Sequence, residues 1–499
     1  MFSEEIFKRT INGLFLLALC VPVIAVMRSS QLRPAVRAVV ENPSDWDHQR
    51  DALRRSTPLW NKAVEGYSAL LFELGSTNAK DIGIVGRDKW MFLGDGFDEN
   101  VSQALGWRAF SQEEIGRWRD VMLEQQRWFA RRNIPMLFVV APAKWSIYPE
   151  KLPAWTDGRV KEHGYDQLLQ SADGLPLIDL RPALKAGKAT ADTYSPLNSH
   201  WTDYGALVGW KGVASRLEQL GPIFANLYVP SYKGVNAVNY GSEFAGLMSL
   251  PAENRWTVPE FDRALPDFQG VGADGKTVQF TGYTHTGLLD LPRQTLTPSA
   301  RNDVRALVLR DSMGDSLSLY LQAAFHATFQ VDHHINTPGL APNVPALSDS
   351  FKPNLLLYVM TERYLDHVPG QDVVDFWRSA NAFDSGSDTG GWKVGDPPGG
   401  IVRIEGDPSL QQAVSLYWAI SDSGSHVVRI DMDAQWSGQL QLQFYAGGQL
   451  GIRAAQYAPG SNQLFFTLPA DVDGARVTVV RSTGSASAML KEVHLKKIN

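Results

Sequence analysis

The chain holds a single cysteine, Cys20, in 499 residues. No intramolecular disulfide can form and no cysteine-based metal centre exists. Blocks of basic charge are also missing. With a net charge of −6, binding to nucleic acid through phosphate neutralisation is excluded. No internal repeat is evident. Long apolar runs are scarce, and the one obvious example, Gly13 to Met27, is short for a membrane span, which takes about 20 residues. Lys8 and Arg9 precede it and Arg28 ends it, the order of an export signal with a cytoplasmic amino terminus. Met27 and Arg28 interrupt any small-x-small cleavage site, so residues 1–30 read as a retained signal anchor in preference to a cleaved signal peptide. Leu19 stands where a lipoprotein signal has a small residue before Cys20. Everything after Ser30 is expected outside the cytoplasmic membrane.

What is present is globular. An apolar share of 44% and a charged share of 20% are those of a folded chain, long enough for two or three domains. Residues 31–80 read as a helical juxtamembrane segment, with Trp46, Leu53 and Trp60 near heptad spacing. An α/β pattern follows over 81–381. Ile84 to Leu93 reads as a hairpin turning at Gly86 to Lys89. Ser111 and Glu114 make a capping box ahead of a helix with Ile115, Trp118, Met122 and Phe129 on one face. Met136 to Val140 is a continuously apolar strand. Leu177 to Leu180, Ala306 to Leu309, His326 to Val331 and Leu355 to Met360 are further strands. Such alternation predicts a largely parallel sheet with helices on both faces. Within it, 222–302 loses the helical signal and reads as a β-rich insertion beside the active site, with a small hydrophobic cluster of its own. Turn and linker chemistry between Ala382 and Gly400 marks a boundary. Beyond it Val428, Ile430, Met432 and Leu440, Leu442, Phe444 alternate with polar residues, so 382–499 is expected to be a β-sandwich. Fifteen Trp and fifteen Tyr include Trp392, Trp418 and Trp436 in that module, read as core residues first and sugar-stacking ones second.

Two segments carry candidate chemistry. In Leu307-Val-Leu-Arg-Asp-Ser312 a buried strand stops abruptly, and a helix with Leu317, Leu321 and Ala324 on one face follows. A serine at that turn projects beyond the carboxyl edge of a sheet, where helix-start N–H groups can stabilise an oxyanion. In Asn198-Ser-His200-Trp-Thr-Asp203, His200 lies at the start of its own helix and can act as a base for Ser312. The competing readings are an N-cap for Asp311-Ser312 and packing for His200-Trp201. His326, His333 and His334 do not read as a metal site, because adjacent histidines on an extended segment face opposite ways. No metal and no cofactor is called for.

Together these segments resemble the alginate O-acetyltransferase family, SGNH-hydrolase-like periplasmic enzymes that acetylate exported polysaccharides. The resemblance runs from about Ile82 to Asp366. It rests on Gly86-Arg-Asp-Lys-Trp-Met-Phe-Leu93, Pro142-Ala-Lys144 with Tyr148-Pro149-Glu150, Tyr194 to Ala206, Gly241 to Pro251, Leu309-Arg-Asp-Ser312, and Lys352-Pro353 to Glu362-Arg363. It implies Ser312 as nucleophile and His200 as base, with the Ser312 N–H in the oxyanion hole. Arg310, Lys144 and Tyr194 are the implied substrate-binding residues; for Arg310 and Lys144 the rival reading is a solvated strand-end charge. The implied partners are a polysaccharide acceptor, a membrane acyltransferase delivering the acetyl donor, and an exopolysaccharide export complex. The implied place is the periplasm, anchored to the inner membrane, and 382–499 is then a carbohydrate-binding-like module.

Two positions depart from the family pattern. Arg310 replaces the glycine of simpler SGNH hydrolases and leaves less room beside the nucleophile. Asn198 replaces the aspartate two residues before the histidine, and in serine-protease triads that exchange costs about 10⁴-fold in rate. Asp203, one helical turn after His200, is the candidate substitute acid. Three functions remain open: O-acetyltransferase, acetyl esterase on the same dyad, or a catalytically weak glycan-binding subunit.

Overall fold

The structure is a computed structural model describing residue 37 and residues 58–250, 254–272, 274–393, 415–419, 424–480 and 488–498. The expected anchor over 1–30 and most of the expected juxtamembrane segment lie outside the described residues. Pro58–Glu73 is a helix, and no helix of the described residues is long and apolar enough to cross a membrane.

The first strands, β1 (Gly83–Val85) and β2 (Met91–Leu93), form the expected antiparallel hairpin. The main sheet is built from β3 (Met136–Ala141), β4 (Leu177–Asp179), β7 (Phe268–Val271), β8 (Thr277–Phe280), β9 (Arg293–Leu296), β10 (Arg305–Arg310), β11 (Ala327–Asp332) and β12 (Leu355–Thr361). Its order is β4-β3-β12-β10-β11-β9-β7-β8. The first five members run parallel, and the last three join antiparallel. The fold is therefore an α/β sheet with five parallel strands, followed by separate all-β strands.

Burial explains the apolar runs. Every residue of Met136–Ala141 is buried, since successive side chains enter opposite layers. Leu137, Val139, Ala306, Val308 and Leu357 join the helices Asp203–Glu218 and Gly314–Ala324 in one core. Phe138, Val140, Leu307, Leu309 and Leu356 join Gln112–Ala130 and Gln371–Ser385 in the other. Gln112–Ala130 opens with the Ser111–Glu114 capping box.

The insertion 222–302 differs from expectation. Instead of a cluster of its own, Phe224, Leu227 and Leu265 enter the main core, and β9, β7 and β8 extend the main sheet. Thr295 pairs its hydroxyl with Thr328 of β11 at 2.6 Å, both buried, so a polar contact closes the junction. Strands β5 (Tyr232–Tyr240) and β6 (Asn254–Phe261) form a separate antiparallel ribbon, and Glu243–Met248 is a short helix between them.

The carboxy-terminal strands form two four-stranded sheets. One is ordered β13 (Ser387–Lys393), β20 (Ala488–Lys497), β15 (His426–Ala434), β18 (Gly460–Leu468). The other is β14 (Ser415–Ala419), β19 (Val472–Val480), β16 (Gly438–Ala446), β17 (Gln449–Tyr457). Val428, Ile430, Met432, Leu440, Leu442 and Phe444 meet between them, as their alternation requires.

Candidate active site

β10 ends at Arg310, and the chain turns through Asp311-Ser312-Met313 into the helix Gly314–Ala324. The buried Asp311 carboxylate holds this turn. It accepts the Met313 N–H at 2.8 Å through Oδ1 and the Thr361 N–H, from the end of β12, at 2.6 Å through Oδ2. Burial pushes its pKa up, but nearby His333 (Nε2 to Oδ2 3.5 Å) and the Thr361 donor outweigh that and hold the carboxyl at about 2. The amides of Met313, Gly314 and Asp315 all donate within the turn, to Asp311 Oδ1, Asp311 O and Ser312 O.

His200 comes from a different element than its sequence suggests. The helix begins at Asp203 with Thr202 as N-cap, its hydroxyl accepting from the Gly205 N–H. His200 precedes it, on a loop where Tyr194 and Trp201 make an isolated antiparallel bridge. Trp201, fully buried, donates its indole N–H to Met313 O at 2.8 Å and so fixes the histidine loop against the turn that carries Ser312. The β5–β6 ribbon supports it from the other side. Asn254 Oδ1 accepts from Ser195 Oγ and from the Leu197 N–H, and Thr257 donates to Thr202 Oγ1 at 2.6 Å.

The geometry that results is a serine–histidine dyad. His200 Nε2 lies 2.8 Å from Ser312 Oγ, and His200 Nδ1 lies 2.7 Å from Asn198 Oδ1. Asn198 Oδ1 also accepts the backbone N–H of His200 at 3.0 Å. That N–H can only donate, so the oxygen of the amide must face the ring. Nδ1 then carries the proton, and Nε2 is free to accept from the serine.

Other expected residues take different places. Asp203 does not substitute for a triad acid. Its carboxylate accepts from Tyr283 Oη (2.6 Å) and Ser316 Oγ (2.8 Å) and pairs with His285 Nε2 (3.0 Å); these contacts lower its pKa against the opposing effect of burial. The substrate-binding reading of Arg310 fails on burial. Its guanidinium is wholly enclosed and donates to Gln330 Oε1 (2.9 Å), Asp311 O (3.0 Å), Asp315 Oδ1 (2.7 Å) and Thr286 O (2.6 Å). Nor does it crowd the nucleophile, because its methylenes occupy the space above Gly314, where a Cβ would meet Arg310 Cδ at 1.9 Å. Lys144 is buried too, and Nζ donates to Met91 O and Pro196 O at 2.7 Å and to Asn198 O at 3.2 Å. Burial pushes its pKa well down, against the carboxylates of Glu243 and Asp192. Tyr194 is fully buried with its hydroxyl on Pro142 O. All three side chains are enclosed and bonded to the protein's own carbonyl oxygens.

Glu243 was missed. Its Oε2 accepts the Ser199 N–H at 2.7 Å and lies 3.6 Å from His200 Nδ1. Burial pushes its pKa up, but His200 and Ser199 outweigh that and hold it at about 2. Glu243 stands within the glycine-led segment Gly241 to Pro251, where spacing alone gives no sign that it returns to His200.

The adjacent histidines lie past the end of β11, with His334 at a φ of 49°. His333 is buried and stacked on Tyr358 at 5.2 Å, while His334 reaches Thr337 Oγ1 at 3.2 Å. Among the described residues, Asp431, Glu492 and His494 have ligand-type atoms within 4.8 Å of one another; Asp431 is already paired with Arg429 at 3.0 Å and His494 with Glu492 at 2.8 Å. Trp436 is 58% exposed instead of in the sandwich core. The Trp392 and Trp418 side chains lie outside the described residues. A cavity of about 1210 Å³ near His333, Phe376 and Arg453 includes neither Ser312 nor His200.

Residues 84–259 match the family described as SGNH hydrolase-like domain, acetyltransferase AlgX. That match ends before Ser312. The chain is 24% identical over 150 residues to the probable alginate O-acetylase AlgJ of Azotobacter vinelandii, covering 29% of this chain and 37% of that protein. It is 26% identical over 225 residues to the probable alginate O-acetylase AlgJ of Pseudomonas aeruginosa, covering 44% and 51%. The chain thus spans about half or less of the length of these curated relatives. The solved structure of Pseudomonas aeruginosa AlgX aligns at 14% identity and a TM-score of 0.46 over 84% of this chain and 94% of that one.

Proposed function

We propose that this chain is an O-acetyltransferase that moves acetyl groups onto hydroxyls of an exported polysaccharide through an acetyl-Ser312 intermediate. One observation carries the reading: His200 Nε2 2.8 Å from Ser312 Oγ, with Nδ1 held at 2.7 Å by Asn198. The resemblance of residues 84–259 to an acetyltransferase domain supports it, and the likeness to two probable alginate O-acetylases supports a polysaccharide acceptor.

In the first half-reaction Ser312 Oγ attacks the acetyl carbonyl while its proton passes to His200 Nε2. The oxyanion meets the Ser312 N–H, since the next three amides are used inside the turn. Collapse expels the donor's leaving group, which takes the proton from Nε2. In the second half-reaction a sugar hydroxyl gives its proton to Nε2 and attacks the acetyl carbon, and Ser312 Oγ leaves and regains a proton. Water in place of the sugar makes the same site an esterase.

The assembled dyad weighs against a purely binding subunit, a reading that rested on Asn198 alone. Residues 382–499 are read as a glycan-holding module, supported by the exposed Trp436 and Tyr445. Periplasmic location with an amino-terminal anchor is supported by Lys8 and Arg9 ahead of the apolar run. A membrane acyltransferase as donor source and an export complex as setting extend the same reading.

The test is incubation of the purified chain with a chromogenic acetyl ester, with and without oligosaccharide acceptors. The expected result is ester turnover, an acetyl adduct on Ser312 by intact mass, and acetylated sugar when an acceptor is present. Ser312→Ala should abolish all three; undiminished turnover in that folded variant removes the reading. Turnover with acetate as the sole product across uronate and neutral oligosaccharides would make the chain an esterase.

A further inference from the structure

Asn198 fixes the tautomer and angle of the His200 ring but carries no charge. An imidazolium forming at the transition state needs a negative partner, and in serine-protease triads the loss of that charge costs about 10⁴-fold. Among the described residues, His200 faces groups from several elements. Ser312 lies at Nε2, and Asn198 and Ser199 lie at Nδ1 from its own loop. From the insertion comes Glu243, its Oε2 3.6 Å from Nδ1. From the nucleophile helix comes Asp315, whose carboxylate is taken by Arg310 at 2.7 Å. Lys144 stands behind the Asn198 main chain, its Nζ 3.2 Å from Asn198 O. Asp203 is turned to Tyr283, His285 and Ser316.

Resting on the dyad reading above, we propose that Glu243 is a positioning residue that supplies the charge to His200, so that two side chains share what one aspartate does elsewhere. Asn198 accepts the Nδ1 proton, and Glu243 stabilises the imidazolium from just beyond it. The placement is specific. The carboxylate is anchored by the Ser199 N–H at 2.7 Å, so it cannot swing onto Nδ1 without losing that bond, nor drift into solvent. It is three-quarters buried, where screening by water is weak. Its pKa, held at about 2 by His200 and Ser199 in spite of burial, leaves it ionised over the whole range in which a histidine titrates.

The experiment uses the full chain with Glu243→Gln, Asn198→Asp and the double variant, reading kcat and KM on an acetyl ester across pH. The His200 titration is read separately by proton–carbon NMR with labelled histidine, assigned through His200→Gln. Glu243→Gln should lower kcat by about 10- to 100-fold, well short of the about 10⁴-fold cost of a missing triad charge, with KM little changed. The acid limb of kcat/KM and the NMR titration should both move to lower pH, because the protonated ring loses its carboxylate. The double variant should recover most of the rate, since Asn198→Asp returns a charge to the same ring nitrogen. Asn198→Asp alone should gain less than about tenfold, because a charge is already present. A Glu243→Gln chain with the parent titration, a loss that Asn198→Asp does not rescue, or a gain of about tenfold or more from Asn198→Asp alone overturns the proposal. The NMR arm needs no turnover. A parent chain without acetyl transfer whose His200 still responds to Glu243→Gln would sink the transferase reading and leave this one standing.

Discussion

Arg310 and Lys144 show how little a cation's position in sequence says about its job. Arg310 ends β10 and Lys144 follows three residues after β3, places where a ligand for acidic sugars is expected, yet both are buried and donate to the protein's own oxygens. Burial is a property of the packed fold, and a single residue letter does not carry it. Lys144 bonds the carbonyls of Met91, Pro196 and Asn198, which ties the β1–β2 hairpin to the loop that aims His200. Lys144→Met removes a donor from all three, although Pro196 O keeps the Met91 N–H, and a buried carbonyl left without a partner costs about 1–3 kcal/mol. A lowered urea midpoint together with reduced kcat is expected. A raised KM at unchanged stability would return Lys144 to the substrate. Gly314→Ala tests Arg310 without touching its charge. A Cβ 1.9 Å from Arg310 Cδ forces the side chain or the turn to move, at a cost of about 1–3 kcal/mol seen as a lower denaturation midpoint.

The turn after β10 is an element whose shape depends on one carboxylate. Asp311 takes an N–H on each oxygen, from Met313 in the turn and from Thr361 at the end of β12. An amide has a single accepting atom, so Asp311→Asn sets an NH₂ group against one of those donors. The expected cost is about 1–3 kcal/mol, with ester turnover falling as Ser312 shifts against His200. The same carboxyl gives a pH dependence of defined sign. Its folded pKa, about 2, lies below the unfolded value of about 3.9. Its contribution to stability is therefore full above about pH 3.9 and is lost as pH falls toward 2. Denaturation midpoints measured from pH 6 downward should fall less in Asp311→Asn than in the parent. Much of this element is legible in the sequence: the buried strand, the abrupt stop and the helix after Ser312 follow from the apolar pattern of Leu307 to Ala324. The histidine loop is less so. Asn198, Ser199 and Thr202 are all cap-forming residues, and the helix start falls on Thr202 because Thr193 O accepts the Thr202 N–H across the chain. Glu243 and Asn254 reach the loop only through a ribbon forty or more residues away, and no local periodicity encodes that pairing.

At the scale of the molecule, the alternating apolar pattern after residue 420 predicts the carboxy-terminal β-sheets, but not what their outer surface touches. In β18 the inward Leu464 and Phe466 fill the sandwich, and the outward Phe465 is buried as well. It packs on Phe376 and Phe383 of the helix Gln371–Ser385, with ring centroids 5.7 Å apart in each case. Val427 of β15 joins the same core as Trp377 and Leu309. Continuous burial along a strand, which marks cover on both faces, is therefore the sign of docking onto the catalytic part. The linker chemistry between Ala382 and Gly400 suggests a free hinge, yet β13 starts at Ser387, directly after the helix ends at Ser385. A cut at Gly400 would strip β13 from β20. Ending the chain at Ser385 should instead uncover Trp377 and Phe383. The shortened protein should lose ester turnover on heating at a lower temperature than the full chain and bind more hydrophobic dye. Phe465→Ala should move the midpoint in the same direction, since removing a buried Phe costs about 3–5 kcal/mol. If both midpoints matched the full chain, the sheet would be an appended module and its contact with the helix would contribute nothing to the catalytic fold.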